Sequence, residues 1–170
     1  MLTGQMFHIP VALAMNYMAH GCPVVLINFD AKLALDVIQQ ERVSAFLGIT
    51  TMINWMMAVE GFHDYDLSSL RNFQYGGGPM PRSVVEAALK AFPCTMIQGY
   101  GQTEGMTMTF LSQEDHQRAI AGDHPERLGS CGREGFVSEI RVVDPEGEPV
   151  PRDGQTAGEI VVRSEANMLG

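Results

Sequence analysis

The sequence predicts an α/β domain: a mostly parallel sheet with crossover helices, followed by a small, largely antiparallel β region, the whole being an incomplete domain. Three observations carry this. Strand-like and helix-like patterns alternate about four times up to residue 100, as a parallel sheet with helical crossovers requires. Beyond residue 135 the helical pattern gives way to strand-like runs separated by turn residues. Both ends are abrupt: residues 2–7 run straight into structured sequence, and the chain stops just after a strand-like run.

Residues 10–20 are largely apolar, interrupted by Asn16, and predict a buried helix. Gly21 and Pro23 punctuate, and Pro23–Asn28 reads as a buried strand. Asp30 is placed to cap a helix over 31–41, with Leu33, Val37 and Ile38 on one apolar face. Val43–Ile49 is a second strand, and Thr50 or Thr51 is placed to cap a helix running to about Glu60. A polar loop over 61–71 leads to a short strand, Arg71–Tyr75, which ends in Gly76-Gly77-Gly78. Pro79 and Pro81 suit a helix start, because a fixed φ and a missing N–H cost nothing in the first turn. That helix covers 81–91 and stops at Pro93; Cys94–Gln98 is the next strand, followed by a loop from Gly99 to Gly105. A loop rich in charge and glycine spans 112–135, with Glu114, Asp115 and His116 expected in solvent. Val137–Val143 and Glu159–Arg163 are strands joined by turn residues. We divide the chain into residues 1–128, the α/β part, and 129–170, the start of the β region.

Composition narrows the function. The 170 residues carry a formal net charge of -9, which argues against nucleic-acid binding, since that affinity comes largely from Lys and Arg on phosphates. Three cysteines, Cys22, Cys94 and Cys131, lie far apart without a CxxC pair, so a reduced, cytoplasmic protein is expected rather than a disulfide or zinc framework. No secretory leader pattern is present, and the apolar run 22–29 is too short to cross a bilayer. A missing portion of the domain would leave apolar surface exposed, with self-association as the expected consequence.

The chemistry concentrates where two glycine-rich runs follow successive strands. In an open parallel sheet ligands bind beyond the carboxyl ends of the strands, so Gly76-Gly77-Gly78-Pro79 and Gly99-Tyr100-Gly101-Gln102-Thr103-Glu104-Gly105 should meet at one crest. Tyr100 offers a stacking face, Thr103 a hydroxyl for an anionic oxygen, and Glu104 a carboxylate for Mg²⁺, which takes few protein carboxylates and leaves the rest to phosphates and water. These parts suit a nucleotide with its metal. The dinucleotide fingerprint is missed because Glu104 stands where the third glycine is needed, and no Walker A sequence occurs.

Gln98-Gly-Tyr-Gly-Gln-Thr-Glu-Gly105 resembles the tyrosine–glycine–x–threonine–glutamate core motif of the adenylate-forming superfamily of acyl- and aryl-CoA synthetases, luciferases and peptide-synthetase adenylation domains. Tyr75-Gly-Gly-Gly-Pro79 is similar to the superfamily's adenine-binding loop. Gly129-Ser-Cys-Gly-Arg133, Gly158-Glu-Ile-Val-Val-Arg163 and Met6-Phe-His8 resemble further segments in the same order. The resemblance implies that residues 1–128 and 129–170 are the α/β part and the start of the β subdomain of one AMP-binding domain. It implies an ATP-dependent ligase that activates a fatty or aromatic carboxylic acid as acyl-AMP and transfers it to CoA as co-substrate. Gly76, Gly77, Gly78, Pro79, Gly99, Tyr100, Gly101 and Gln102 would then bind ATP or AMP. Thr103 would contact the α-phosphate and Glu104 would hold Mg²⁺. His8, Met52 and Ile53 are candidates for the acid pocket, although Met52, Ile53, Trp55 and Met56 also fit an ordinary core stripe and His8 a structural histidine. Arg133 is either an ion-pair partner or a residue that closes the site. The superfamily's phosphate loop, ribose-binding aspartate and catalytic lysine have no counterpart in this sequence, so the chain alone is expected to be inactive. A peptide-synthetase adenylation domain is the first rival, weighed down by Gln102 where those domains usually carry proline. A truncated, non-catalytic binding fragment is the second.

Overall fold

The computed structural model describes residues 1–4, 6–7 and 9–169. Its first strand, β1 (Leu2–Thr3), is followed by α1 (Ile9–Ala19) and β2 (Leu26–Ile27), and the two strands pair in parallel. The predicted strand over 23–28 is therefore only two residues long. The helix at 10–20 forms, but Pro10 and Ala14 are its only buried residues, while Met15 and Met18 are exposed. A helix apolar on every side is suited to enclosure on every side, and here only part of its circumference meets other described residues.

The centre is a five-stranded sheet in the order β3-β4-β5-β6-β7. It is built from α2 (Ala31–Gln40), β3 (Ala45–Gly48), α3 (Thr50–Met57), β4 (Asn72–Gly76), α4 (Arg82–Ala91) and β5 (Thr95–Gln102), then β6 (Met106–Leu111), α5 (Gln113–Ile120) and β7 (Arg133–Glu134). The β3–β4 and β4–β5 pairs are parallel, and β5–β6 and β6–β7 are antiparallel. A separate antiparallel pair, β8 (Ser138–Val143) and β9 (Glu159–Ser164), follows. The predicted fold class is the observed one.

Asp30 caps α2 as expected, its Oδ1 accepting from Leu33 N at 2.8 Å. The buried face is Ala34, Leu35 and Ile38, whereas Leu33 faces solvent. In α3 the cap position falls on Ile49, and neither threonine serves it: Thr50 is already helical, and its hydroxyl donates to the Pro79 carbonyl at 3.1 Å. Alternation along β4 sends Phe73 and Tyr75 into the core. The Phe73 ring meets Phe46 and Phe92 edge-on at centroid distances of 4.8 and 5.0 Å, a favoured aromatic geometry.

Two expectations about 99–135 are overturned. The glycine-rich run after β5 is not a free loop: β5 continues through Gln102 and turns back into β6. The stretch 112–135 contains α5, a 3₁₀ turn over Pro125–Gly129 and β7. Ser112 is the N-cap of α5, its Oγ accepting from Asp115 N at 3.1 Å, so a hydrophilic segment becomes a helix through its cap and not through an apolar stripe.

Several large apolar side chains lie open to solvent, among them Phe7, Met15, Met18, Trp55, Phe136 and Leu169. Scattered exposure is ordinary, but Met15 and Met18 lie about one turn apart on the same helix, and contiguous apolar surface favours association. The isolated chain is expected to self-associate. Sedimentation velocity over a range of concentrations measures this, and a concentration-independent monomer contradicts it.

Candidate active site

The register of β4 and β5 brings the two glycine runs together. Tyr75 lies opposite Gln98 and Gly76 opposite Gly99. A Cβ built on Gly76 would come within 2.2 Å of the Gly99 carbonyl oxygen, so no side chain fits at this rung without moving a strand. Beyond it Gly77 and Gly78 are exposed, and Pro79 is held through its carbonyl by Thr50.

On the neighbouring strand a β-bulge falls between Tyr100 and Gly101. Bulges sharpen twist and re-aim side chains; here the aromatic ring of Tyr100 is partly exposed beside the glycine run. Gly101 is packed against the return strand, where a Cβ would lie 1.9 Å from the Met106 carbonyl oxygen. Thr103 and Glu104 form the exposed tip of the β5–β6 hairpin, closed by Gly105 N donating to the Gln102 carbonyl at 3.2 Å. The tip is also tied from outside: Met168 N donates to the Glu104 carbonyl at 2.7 Å.

Of the acid-pocket candidates, Met52 is half-buried, with its sulfur 3.4 Å from the Thr3 hydroxyl. Ile53 and Met56 are fully enclosed in the core, and Trp55 is exposed beside Phe29. His8 lies outside the described residues.

The structure also contains a polar cluster that the sequence analysis placed in solvent. Asp115 and His116, on α5, are buried; Glu114, one residue earlier, is exposed. The N–H donor can only be His116 Nδ1 where it meets the Ser112 carbonyl at 2.6 Å, since a carbonyl only accepts. Nε2 is then an acceptor, and it receives the Tyr75 hydroxyl at 2.8 Å. Burial pushes the His116 pKa below its ordinary value, against the opposing pull of the Ser112 carbonyl and Asp115, and burial pushes the Tyr75 phenol up. Asp115 meets Arg127 at 3.4 Å and Arg133 at 3.2 Å. Burial alone would raise the Asp115 carboxyl; the Ser112 hydroxyl, Arg133, the Ser112 backbone and Arg127 outweigh it and hold the group below the usual carboxylate range. Of the two readings open for Arg133, the structure shows the ion pair. A shallow cavity of about 220 Å³ opens beside this clamp, lined by Leu111, Asp115, Arg127, Ser130, Gly132 and Arg133. The Ser112-x-x-Asp115 spacing, a helix-start signature, is the sequence signal that could have located the cluster.

Against this geometry the comparisons are direct. The family model described as AMP-binding enzyme matches residues 1–170. The chain belongs to the AMP-binding enzyme family. It is 33% identical over 150 residues to a feruloyl-CoA synthase of Amycolatopsis sp, covering 88% of this chain and 28% of that protein. It is 32% identical over 143 residues to the medium/long-chain-fatty-acid–CoA ligase FadD8 of Mycobacterium tuberculosis, covering 84% and 24%. Among solved structures, the amide bond synthetase McbA of Marinactinospora thermotolerans superposes with a TM-score of 0.89 at 30% identity, covering 99% of this chain and 33% of that one. The chain thus spans about a quarter to a third of the length of these relatives. No helix among the described residues is long and apolar enough to cross a membrane.

The polar cluster sets a pH dependence. His116 has a folded-state pKa below its unfolded value of 6.5. Above pH 6.5 its full contribution to stability is present; as pH falls from there through the folded value, the unfolded chain binds the proton more readily and stability is lost. Denaturant midpoints should fall across this window in the native chain, and His116→Gln should flatten that part of the profile.

Proposed function

We propose that this chain carries the central part of the active site of an ATP-dependent acid:CoA ligase. In the first step a carboxylate oxygen bonds to the α-phosphorus of ATP and the bond to pyrophosphate breaks, leaving an acyl-adenylate. In the second, the sulfur of CoA bonds to the acyl carbon, the bond to AMP breaks, and the thiol proton is released. The observation that carries this reading is the pairing of Gly76 with Gly99, which sets a side-chain-free run beside a hairpin tipped by Thr103 and Glu104.

In this reading Gly76, Gly77, Gly78 and Pro79 form one wall of the adenine site, and Gly99, Tyr100, Gly101 and Gln102 the other, with the Tyr100 ring against the base. Thr103 donates to the α-phosphate. Mg²⁺ arrives with ATP as part of the substrate. One exposed carboxylate on a turn with a fixed backbone suits that ion, which keeps most of its shell in phosphates and water. Glu104 has this character, and no cluster of three metal-binding side chains exists among the described residues to form an all-protein cage. Charge spreading over the phosphates is best met by a metal and preoriented donors. Met52 fits the wall of the acid pocket, with His8 a second candidate. The named relatives act on feruloyl and on fatty-acid substrates, so the acid is proposed to be aromatic or fatty. Residues 1–128 and 129–170 are proposed to be the α/β part and the start of the β subdomain of one AMP-binding domain, working in the cytoplasm.

Two measurements test this. Pyrophosphate release by the isolated 170-residue chain, assayed with a panel of aromatic and fatty acids, should stay at background, because positioning and charge stabilisation must act together; robust turnover would contradict the central-part reading. In the full-length ligase, Glu104→Gln should keep its fold and slow adenylation about 100-fold, while CoA attack on supplied acyl-adenylate slows less than about tenfold. Equal, near-native rates in both half-reactions would remove Glu104 from the site.

A further inference from the structure

Three consecutive glycines leave the run 76–78 with no side chain to pack, so beyond the Gly76–Gly99 pairing its position is inherited from its two ends. At the far end the Thr50 hydroxyl holds the Pro79 carbonyl. At the near end Tyr75 is the last side chain before the run. It is 3% exposed, and its only hydrogen-bonding group donates to His116 on α5. His116 is itself fully buried and anchored to the first turn of α5 through the Ser112 carbonyl. The adjacent residue, Asp115, holds Arg133 of β7. Arg133 lies opposite Phe110 in β6, the return arm of the hairpin that carries Thr103 and Glu104 at its tip. Two neighbouring residues of one helix therefore hold the supports of both walls of the proposed adenylate site.

We propose that Asp115 and His116 are positioning residues that set the spacing between the glycine run and the hairpin tip, and through it the fit of the nucleotide. The proposal rests on the ligase reading above. Apolar packing alone would let α5 slide by fractions of an ångström at little cost. A buried hydrogen bond and an ion pair made by a buried carboxylate are directional, and a displaced partner is left unsatisfied. Ser112, Tyr75, Arg127 and Arg133 supply the polar contacts of the pair, from the α5 cap, β4, the 3₁₀ turn and β7.

The test is ATP–pyrophosphate exchange by the full-length ligase and its Tyr75→Phe, His116→Leu, His116→Gln and Asp115→Asn variants, at a temperature where melting curves show each fully folded. The KM for ATP should rise about fivefold to tenfold in Tyr75→Phe, His116→Leu and Asp115→Asn, while the KM for the acid changes less than about twofold. His116→Gln, whose amide oxygen can accept the phenol proton, should return the ATP KM to within about twofold of the native value. Lower melting temperatures with an unchanged ATP KM would make the pair merely structural and overturn the proposal. If His116→Leu does not fold, Tyr75→Phe, which deletes one oxygen, decides alone. Absence of exchange in the native protein with every acid would refute the ligase reading instead. Direct titration with AMP then decides the positioning role: weaker binding by the variants supports it, and equal or absent binding overturns it.

Discussion

The arrangement depends on how closely two parallel strands approach at one rung. With Gly76 opposite Gly99, the would-be Cβ position on one strand is occupied by the carbonyl oxygen of the other. Any larger residue would spread the strands or shift their register, and a one-residue shift would turn Tyr75 out of the core and Gln74 into it. The rung thus fixes two things together: which side chains of β4 are buried, and where on β5 the glycine run begins.

The second determinant is the change in strand direction at β5. Its first half pairs in parallel with β4, and its second half pairs antiparallel with β6 through the bulge at Tyr100 and Gly101. A strand with two kinds of neighbour projects past the end of the parallel sheet, which carries Thr103 and Glu104 out on a tether of backbone hydrogen bonds. The contact from Met168 to the Glu104 carbonyl braces that tether from the other side. Residues on a short, doubly held turn keep their position better than residues on a long loop.

The sequence was most legible where periodicity and glycine placement act locally. The alternation of strands and helices, the Asp30 cap and the paired glycine runs follow from near-neighbour chemistry, and the structure agrees. It was least legible where burial is decided at a distance. Residues 113–120 have no apolar stripe, yet Asp115 and His116 are buried because Arg127, Arg133 and Tyr75, all remote in sequence, satisfy them. Leu33 was misplaced for a related reason, since the phase of α2 against the sheet is set by what it packs on and not by its own hydrophobicity. The fold of 99–105 was misread because glycine suggests a loop, whereas here the glycines allow a strand to be crowded from the side.

The same topology bears on how the chain reaches its native state. From β3 to β5 each strand pairs with the next one in the chain, across a single α-helix. Loop-closure entropy grows with the separation of the joined residues, so such near-neighbour units close before distant ones. The Gly76–Gly99 rung belongs to that early-forming set. The Tyr75–His116 contact joins residues 41 apart in the chain and needs β6 and α5 in place first, so it closes later. Assembly therefore runs from the paired strands outward, and the Tyr75–His116 bond ties α5 onto strands already joined.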